Sequence, residues 1–143
     1  MTRSAPLARL VEYWQTLTPA TAATISMIYA DDAYFRDPFN EVTGIEKIRH
    51  IFADMFVRLH EPRFTIIETI EETHGALLIW DFTFRIKNLK PELTRRIHGT
   101  SHIRFADDGR VQYHRDYWDA AGELYEQLPV VGVLMRWLKK RAG

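Results

Sequence analysis

Residues 102–118 read HIRFADDGRVQYHRDYW, and this stretch decides the fold of the chain. Two runs that favour β structure flank Asp108-Gly109, a dipeptide typical of tight β-hairpin turns. The run after the turn predicts a strand at 110–118, and similar runs predict strands at about 63–71, 76–87 and 93–106. Long strands joined by short turns predict a meander that twists and curls strongly.

The N-terminal part carries helical patterns instead. Apolar residues recur at helical spacing from Pro6 to Leu17, and Thr18-Pro19 predicts the start of a second helix that runs to about Tyr29. Thr43-x-x-Glu46 matches a capping box, so we expect the third helix to start at Thr43 and to end at Glu61-Pro62. Helices that precede a run of strands favour an α+β domain over an alternating α/β one.

The C-terminal tail, residues 120–143, is helical by composition, and Pro129 should divide it into two short helices. The second half combines an apolar stripe with four basic residues and no acidic one, namely Val130, Val133, Leu134, Trp137 and Leu138 with Arg136, Lys139, Lys140 and Arg141. We expect this helix to pack on its own domain or on a dimer partner. An anionic membrane surface is the alternative.

The composition predicts one soluble domain. The 143 residues are 46% hydrophobic, which is ample for one sizeable core. Lys+Arg and Asp+Glu number 19 each, and the zero net charge argues against non-specific nucleic-acid binding. Cys is absent, which excludes disulfides and thiolate metal sites. The sequence has no apolar run of about 18 residues, so no membrane span is expected. It also has no signal-peptide pattern, and a cytoplasmic protein is therefore expected.

Several short motifs, taken in order, carry a family resemblance: Tyr29-Ala30-Asp31-Asp32-Ala33, Asp37-Pro38, Gly44, the run Arg104–Val111 and Tyr117-Trp118. Over about residues 7–118, the chain resembles the nuclear-transport-factor-2-like (NTF2-like) superfamily, and within it the ketosteroid isomerase and SnoaL-type polyketide cyclase group. The resemblance implies a cone-shaped, strongly curved, mostly antiparallel sheet wrapped over three N-terminal helices, with an apolar pocket inside. The isomerases and cyclases use a carboxylate base and hydrogen-bond donors that stabilise an enolate. Other members only bind or dimerise.

The resemblance assigns roles to three positions. Asp37 stands where the isomerases carry their general base, and Tyr13 matches their oxyanion-donating tyrosine, so we expect the two side chains to face one cavity. From the residues alone, Asp37 could instead stabilise the turn before Pro38, and Tyr13 could be a core tyrosine. Ser101 departs from the family, because the isomerases carry a second carboxylic acid at this position. A hydroxyl there is a weaker donor, and steroid isomerisation becomes doubtful.

His114, Asp116 and Trp118 alternate along the last strand and therefore share one face. The resemblance turns that face toward the pocket. Trp118 then forms a wall with Phe52 and Phe56, and His114 and Asp116 are candidates for a His–Asp pair. An ion pair on the sheet face with nearby arginines is the alternative.

The strand at 76–87 gives two conflicting predictions. The resemblance places Asp81 inside, whereas hydrophobic patterning places Trp80, Phe82 and Phe84 inside, and the register stays open. With Asp81 inside, near Asp116 and an arginine, the site would resemble an epoxide hydrolase of this fold, in which two aspartates and an arginine activate water.

No metal site or cofactor is predicted. His98 and His102 lie four residues apart on one strand, which separates their Cβ atoms by roughly 13 Å. The usual nucleotide-binding and nucleophile motifs are missing. The sequence therefore favours a pocket protein for an apolar steroid, polyketide or terpenoid ligand, with isomerase- or cyclase-like proton transfer as its chemistry. A non-catalytic binding or dimerisation module is the alternative, and a homodimer built on the outer sheet face is expected in either case.

Overall fold

The computed structural model describes residues 2–124 and 129–142. Three N-terminal helices are present, with a 3₁₀ turn at Ile25–Met27: α1 Ala5–Gln15, α2 Pro19–Ala22 and α3 Ile45–Arg58. The strands are β1 Tyr29–Arg36, β2 Glu41–Thr43, β3 Leu59–Glu72, β4 Gly75–Ile86, β5 Arg95–Phe105 and β6 Val111–Tyr117. Two helices follow the sheet, α4 Ala120–Glu123 and α5 Pro129–Ala142. The predicted α+β class is confirmed.

The six strands form one open sheet in the order β2-β1-β6-β5-β4-β3. All neighbouring pairs are antiparallel except β1 and β6, which run parallel. The hairpin predicted at Asp108-Gly109 joins β5 to β6. Gly109 has φ of 85°, a left-handed conformation that glycine adopts without steric cost. The mostly antiparallel sheet predicted from the sequence is therefore confirmed.

The helices cover the inner face of this sheet. α1 begins at a Ser4 cap, whose hydroxyl accepts a hydrogen bond from the Leu7 amide, and it buries Leu10 and Trp14. α3 buries Ile48 and Phe52 against the same core. This packing places α1 against β3 and α3 against β1 and β3, and the candidate site lies beneath them.

The second helix is shorter than the sequence predicts. It ends at Ala22, and Tyr29, which was expected to close it, instead opens β1. Tyr29 pairs with Val111 of β6, a partner 82 positions away in sequence. This long-range pairing overrides the local helical pattern.

The capping box predicted at Thr43 is wrong. Thr43 is the last residue of β2 and pairs with Tyr34, and α3 starts after Gly44 with no side-chain cap. Gly44 has φ of 110°, a conformation that a residue with a side chain rarely adopts. A capping box does form at α2, where Thr18 and Thr21 exchange side-chain and backbone hydrogen bonds.

The structure settles the register of β4. Trp80, Phe82 and Phe84 are buried in the core, whereas Asp81 lies on the opposite, outer face. There Asp81 binds His98, with 2.8 Å between its Oδ1 and the imidazole Nδ1, and pairs with Arg96 at 3.5 Å. The prediction that Asp81 lines the pocket is wrong, because burial of three aromatic rings outweighs burial of one carboxylate.

The tail is divided as predicted, since α5 begins at Pro129. Four of its side chains are only partly covered by the domain: Val133, Leu134, Trp137 and Leu138 are between 44% and 59% exposed. Val130 lies in α5, outside the side chains that are described. No helix within residues 2–124 and 129–142 is long and apolar enough to cross a membrane.

Candidate active site

A cavity of about 670 Å³ lies between α3 and the inner face of the sheet. Its walls are mostly apolar and rich in aromatic rings, with Trp14, Phe35, Phe39, Phe52, Phe64, Trp80, Phe82, Phe84 and Trp118. Among the described residues, the wall also carries three carboxylates, Asp37, Asp54 and Asp116, and the polar side chains of Asn40, His50 and Arg58. A space of this size and lining suits a small, largely apolar ligand.

Asp116 links the cavity to a buried polar network. Its Oδ1 accepts a hydrogen bond from the Ser101 hydroxyl at 2.5 Å and another from His114 Nε2 at 2.5 Å. Ser101 in turn accepts the indole N–H of Trp80 at 2.8 Å. Asp116 Oδ2 has no hydrogen-bond partner within residues 2–124 and 129–142. One carboxylate oxygen is thus anchored, and the other is available to a ligand.

His114 is held from its other side by Tyr29. The Tyr29 hydroxyl lies 2.7 Å from His114 Nδ1, and both side chains are almost completely buried. Burial raises the pKa of Tyr29 well above its ordinary value of 10, and the negative charge of Asp116 raises this pKa further. Tyr29 therefore stays protonated at neutral pH and can donate to Nδ1. The other ring nitrogen, Nε2, faces Asp116 Oδ1, and a carboxylate oxygen there accepts a hydrogen bond from it.

Aromatic rings fix the plane of the His114 imidazole. The ring stacks on Tyr29 with 5.9 Å between centroids, contacts Phe35 at 4.8 Å and meets Trp14 edge-on at 5.6 Å. An imidazole held on all these sides has one orientation. The Tyr29–His114–Asp116 chain therefore positions the carboxylate that faces the cavity.

Asp37 lies on the cavity wall but has a different environment. Its Oδ1 accepts the backbone N–H groups of Phe39 at 2.8 Å and Asn40 at 2.7 Å, and the Asn40 side-chain amide also donates to it. This pattern is an Asx turn, the alternative role that the sequence left open. Asp37 therefore stabilises the turn after β1.

Tyr13 lies away from the cavity, and the expected Asp37–Tyr13 pair does not form. The Tyr13 hydroxyl donates to the backbone carbonyl of Thr21 at 2.9 Å. Burial raises the pKa of Tyr13 to about 12. Tyr13 belongs to the core because its position on α1 points it toward α2, whereas Trp14, one residue later, reaches the cavity.

The other predicted residues divide between the cavity and its surroundings. Phe52 and Trp118 line the cavity, and Ser101 is buried beneath Asp116. Phe56 packs against the core without lining the cavity. Because Asp81 is outside, the arrangement of two aspartates with an arginine does not form. Among the described residues, no group of three His, Asp or Glu side chains is placed to hold a metal ion.

Sequence reasoning missed Tyr29 and Trp80 as parts of the site. Tyr29 belongs to a motif that marks the fold, but its contact with His114 arises from the parallel pairing of β1 with β6. Hydrophobic patterning, one of the two open predictions for this strand, favours a core position for Trp80, which is true of its ring. Its indole N–H reaches Ser101 because Leu78, its neighbour on the same face of β4, pairs with Ser101 of β5.

Comparison with known proteins gives the family. A family model described as a SnoaL-like domain matches residues 9–114, and the chain belongs to this family. A comparison with curated proteins finds no match. The recognised family and the NTF2-like fold are those predicted from the sequence.

Solved structures show the same fold. A candidate SnoaL-like polyketide cyclase from Shewanella putrefaciens CN-32 is 20% identical, with 88% of this chain and 100% of that chain covered and a TM-score of 0.71. An LEH-like epoxide hydrolase from M. tuberculosis is 16% identical, covering 94% and 93%, with a TM-score of 0.67. A protein of ketosteroid isomerase-like fold from Catenulispora acidiphila DSM 44928, in complex with trimethylamine, is 16% identical, covering 86% and 92%, with a TM-score of 0.71. At these identities the likeness establishes the fold alone.

Proposed function

We propose that the cavity binds an apolar carbonyl compound and that Asp116 transfers a proton at the carbon next to the carbonyl. The observation that carries this proposal is the position of Asp116. Its Oδ1 is held by Ser101 and His114, while the carboxylate borders an aromatic cavity. A carboxylate in such a place is suited to act as a general base. In this proposal Asp116 takes the role of general base that the sequence analysis gave to Asp37.

The proposed reaction begins with the breaking of one C–H bond. Asp116 takes the proton, and the electron pair moves to the carbonyl oxygen to give an enolate. In an isomerisation, Asp116 returns the proton to a different carbon. In a cyclisation, the enolate carbon attacks a second carbonyl of the same molecule, and Asp116 returns the proton to the alkoxide that forms. Both reactions balance without a cofactor.

The cavity wall also restricts the substrate. Two of the three polar side chains that could face an enolate oxygen are already engaged, since Asn40 donates to Asp37 and Arg58 pairs with Asp54 at 2.8 Å, and His50 is the third. We therefore expect the protein to supply few donors to the enolate. We infer that the substrate carries its own acidifying group, such as an aryl ring or a second carbonyl next to the reacting carbon. Polyketide-type compounds have this chemistry.

Deuterium exchange tests the proposal. The protein is incubated in D₂O with 2-tetralone, whose reacting carbon lies between a ketone and an aryl ring, and exchange is followed by proton NMR. We expect the wild-type protein to accelerate exchange and Asp116→Asn to lose about 10²- to 10⁴-fold of the acceleration. Asp37→Asn is the matched control and should retain the rate within a few-fold.

The exchange assay also separates the alternative function. Binding of 2-tetralone, seen as quenching of tryptophan fluorescence, without any acceleration of exchange would favour a non-catalytic binding module. Loss of exchange in Asp37→Asn with full activity in Asp116→Asn would restore Asp37 as the base.

We also propose a homodimer built on the outer face of the sheet. Ile70 of β3 and Leu77 of β4 are cross-strand partners on that face, and they are 52% and 37% exposed. Tyr117 of β6 is 48% exposed on the same face, beneath the guanidinium of Arg115. A second copy would cover this apolar surface through twofold pairing.

A further inference from the structure

The apolar face of α5 is only about half covered by the described part of the domain, where α5 contacts the short helix α4. Val133, Leu134, Trp137 and Leu138 lie on adjacent turns, and each is between 44% and 59% exposed. An isolated helix of 14 residues is only marginally stable in water. A surface that buries this face would therefore stabilise the helix, and the question is which surface it contacts.

The charges of α5 indicate the nature of that surface. The helix carries Arg136, Lys139, Lys140 and Arg141 and no acidic residue. Arg136, Lys139 and Lys140 stand at positions i, i+3 and i+4 of the helix, so they lie together on the side next to and opposite the apolar stripe. The guanidinium of Arg141 lies over the ring of Trp137, 5.1 Å from its centroid, so a basic group also marks the C-terminal end of the stripe. The whole chain is neutral, so this positive charge is concentrated locally.

We propose that α5 binds the surface of an anionic lipid bilayer, lying in the plane of the interface. The apolar stripe would enter the boundary between headgroups and acyl chains, the Trp137 ring would lie at headgroup level, and the basic residues would contact lipid phosphates. At about 1.5 Å per residue the helix is about 21 Å long, too short to cross a hydrocarbon core of about 30 Å. It therefore suits the interface of the bilayer.

A second copy of the chain fits this face less well. Twofold pairing of α5 with its equivalent would bring eight basic side chains together with no acidic residue from either helix. Such a pairing is opposed by like-charge repulsion. The phosphate-rich surface of an anionic bilayer is complementary in charge and covers the apolar stripe at the same time.

The position of α5 along the chain gives this contact a use. Leu124 lines the large cavity, and α5 begins five positions later at Pro129. Five residues span at most about 18 Å, and α5 contacts α4, so the start of the helix lies within about 18 Å of the cavity wall at Leu124. A bilayer bound there would place the cavity close to apolar compounds dissolved in the membrane. The inference does not depend on the proton transfer proposed for Asp116.

Vesicle sedimentation tests the proposal. The full chain is mixed with vesicles of phosphatidylcholine alone or of phosphatidylcholine with one quarter phosphatidylglycerol. We expect binding to the anionic vesicles, weakening as salt rises, and little binding to the neutral ones. Lys139→Gln with Lys140→Gln should weaken binding about 30-fold, at about 1 kcal/mol for each basic residue near the surface.

A matched pair of variants controls for net charge. Lys47→Gln with Arg63→Gln removes two exposed positive charges from α3 and β3 and should leave binding unchanged. Trp137→Ala should weaken binding at least tenfold, because the exposed half of the ring is the part that the bilayer would bury. The proposal would be overturned if the protein bound neutral and anionic vesicles equally or bound neither. It would also be overturned if the two double variants weakened binding equally. Self-association that Trp137→Ala abolishes in the absence of vesicles would identify a second copy as the partner instead.

Discussion

Replacement of Tyr29 by phenylalanine tests the buried network behind Asp116. The substitution removes one hydroxyl, the partner of His114 Nδ1 at 2.7 Å, and changes the shape of the core very little. Tyr29 is 0% exposed and His114 is 1% exposed, so water cannot easily replace the lost partner. A buried acceptor left without its donor costs about 1–3 kcal/mol. We therefore expect the free energy of unfolding to fall by about this amount.

Urea denaturation measures the change, and two other tyrosines supply controls. Tyr13→Phe removes a hydrogen bond to a backbone carbonyl and should cost about 0.5–1.5 kcal/mol. Tyr34→Phe removes a contact with Glu41 at the surface and should cost less than about 0.5 kcal/mol. The order of the three variants, Tyr29 first and Tyr34 last, is the prediction.

Nitrogen-15 NMR of the His114 ring adds a readout that general loss of stability does not move. In the wild-type protein we expect Nε2 to carry the hydrogen and Nδ1 to accept one, and we expect Tyr29→Phe to shift the Nδ1 signal toward that of a free acceptor. The reasoning is refuted if Tyr29→Phe is as stable as the wild type, or if the Nδ1 signal is unchanged while the protein remains folded.

Three further predictions concern pH, packing and assembly. The pKa values of Tyr29 and Tyr13 are raised in the folded protein, so the stability that each tyrosine contributes is complete below pH 10 and is lost as the pH rises further. In urea denaturation at alkaline pH, Tyr29→Phe and Tyr13→Phe should therefore lose less stability than the wild-type protein. A Cβ at Gly99 would lie 2.5 Å from the Trp80 ring, so Gly99→Ala should displace the indole from Ser101. We expect the free energy of unfolding to fall by about 1–3 kcal/mol. Unchanged stability would show that the ring has room to move. Light scattering at micromolar concentration should give about twice the chain mass of 16.8 kDa, and a monomer mass would rule out the proposed outer-face dimer.

The sequence predicted the features that depend on local pattern. The Asp108-Gly109 hairpin, the four long strands and the division of the tail at Pro129 all follow from turn residues and periodicity. Tyr29 was assigned to a helix because its pairing with Val111 is not local. Glu61-Pro62, expected to end α3, instead lies in β3 at an irregularity of the pairing, where a proline is tolerated.

The candidate site was predicted less well than the fold, for a related reason. Family resemblance directed attention to Asp37, whose short side chain instead binds the amides that follow it, as Asp commonly does in turns. Alternation along β6 did place His114, Asp116 and Trp118 on one face. Two residues distinguish Asp116 from the other carboxylates: Ser101, which donates to it, and Tyr29, which holds His114 behind it. Both lie on other strands and become neighbours only in the assembled sheet.

The most direct test of the central claim is a crystal structure of the protein in complex with 2-naphthol, a planar analogue of the enolate of 2-tetralone. The account predicts that the ligand lies among the aromatic walls of the cavity, with the Asp116 carboxylate within about 3.5 Å of a ring carbon or of the hydroxyl. Asp37 should still accept the amides of its own turn. A ligand bound against Asp37, or outside the cavity with Asp116 uncontacted, would contradict the account.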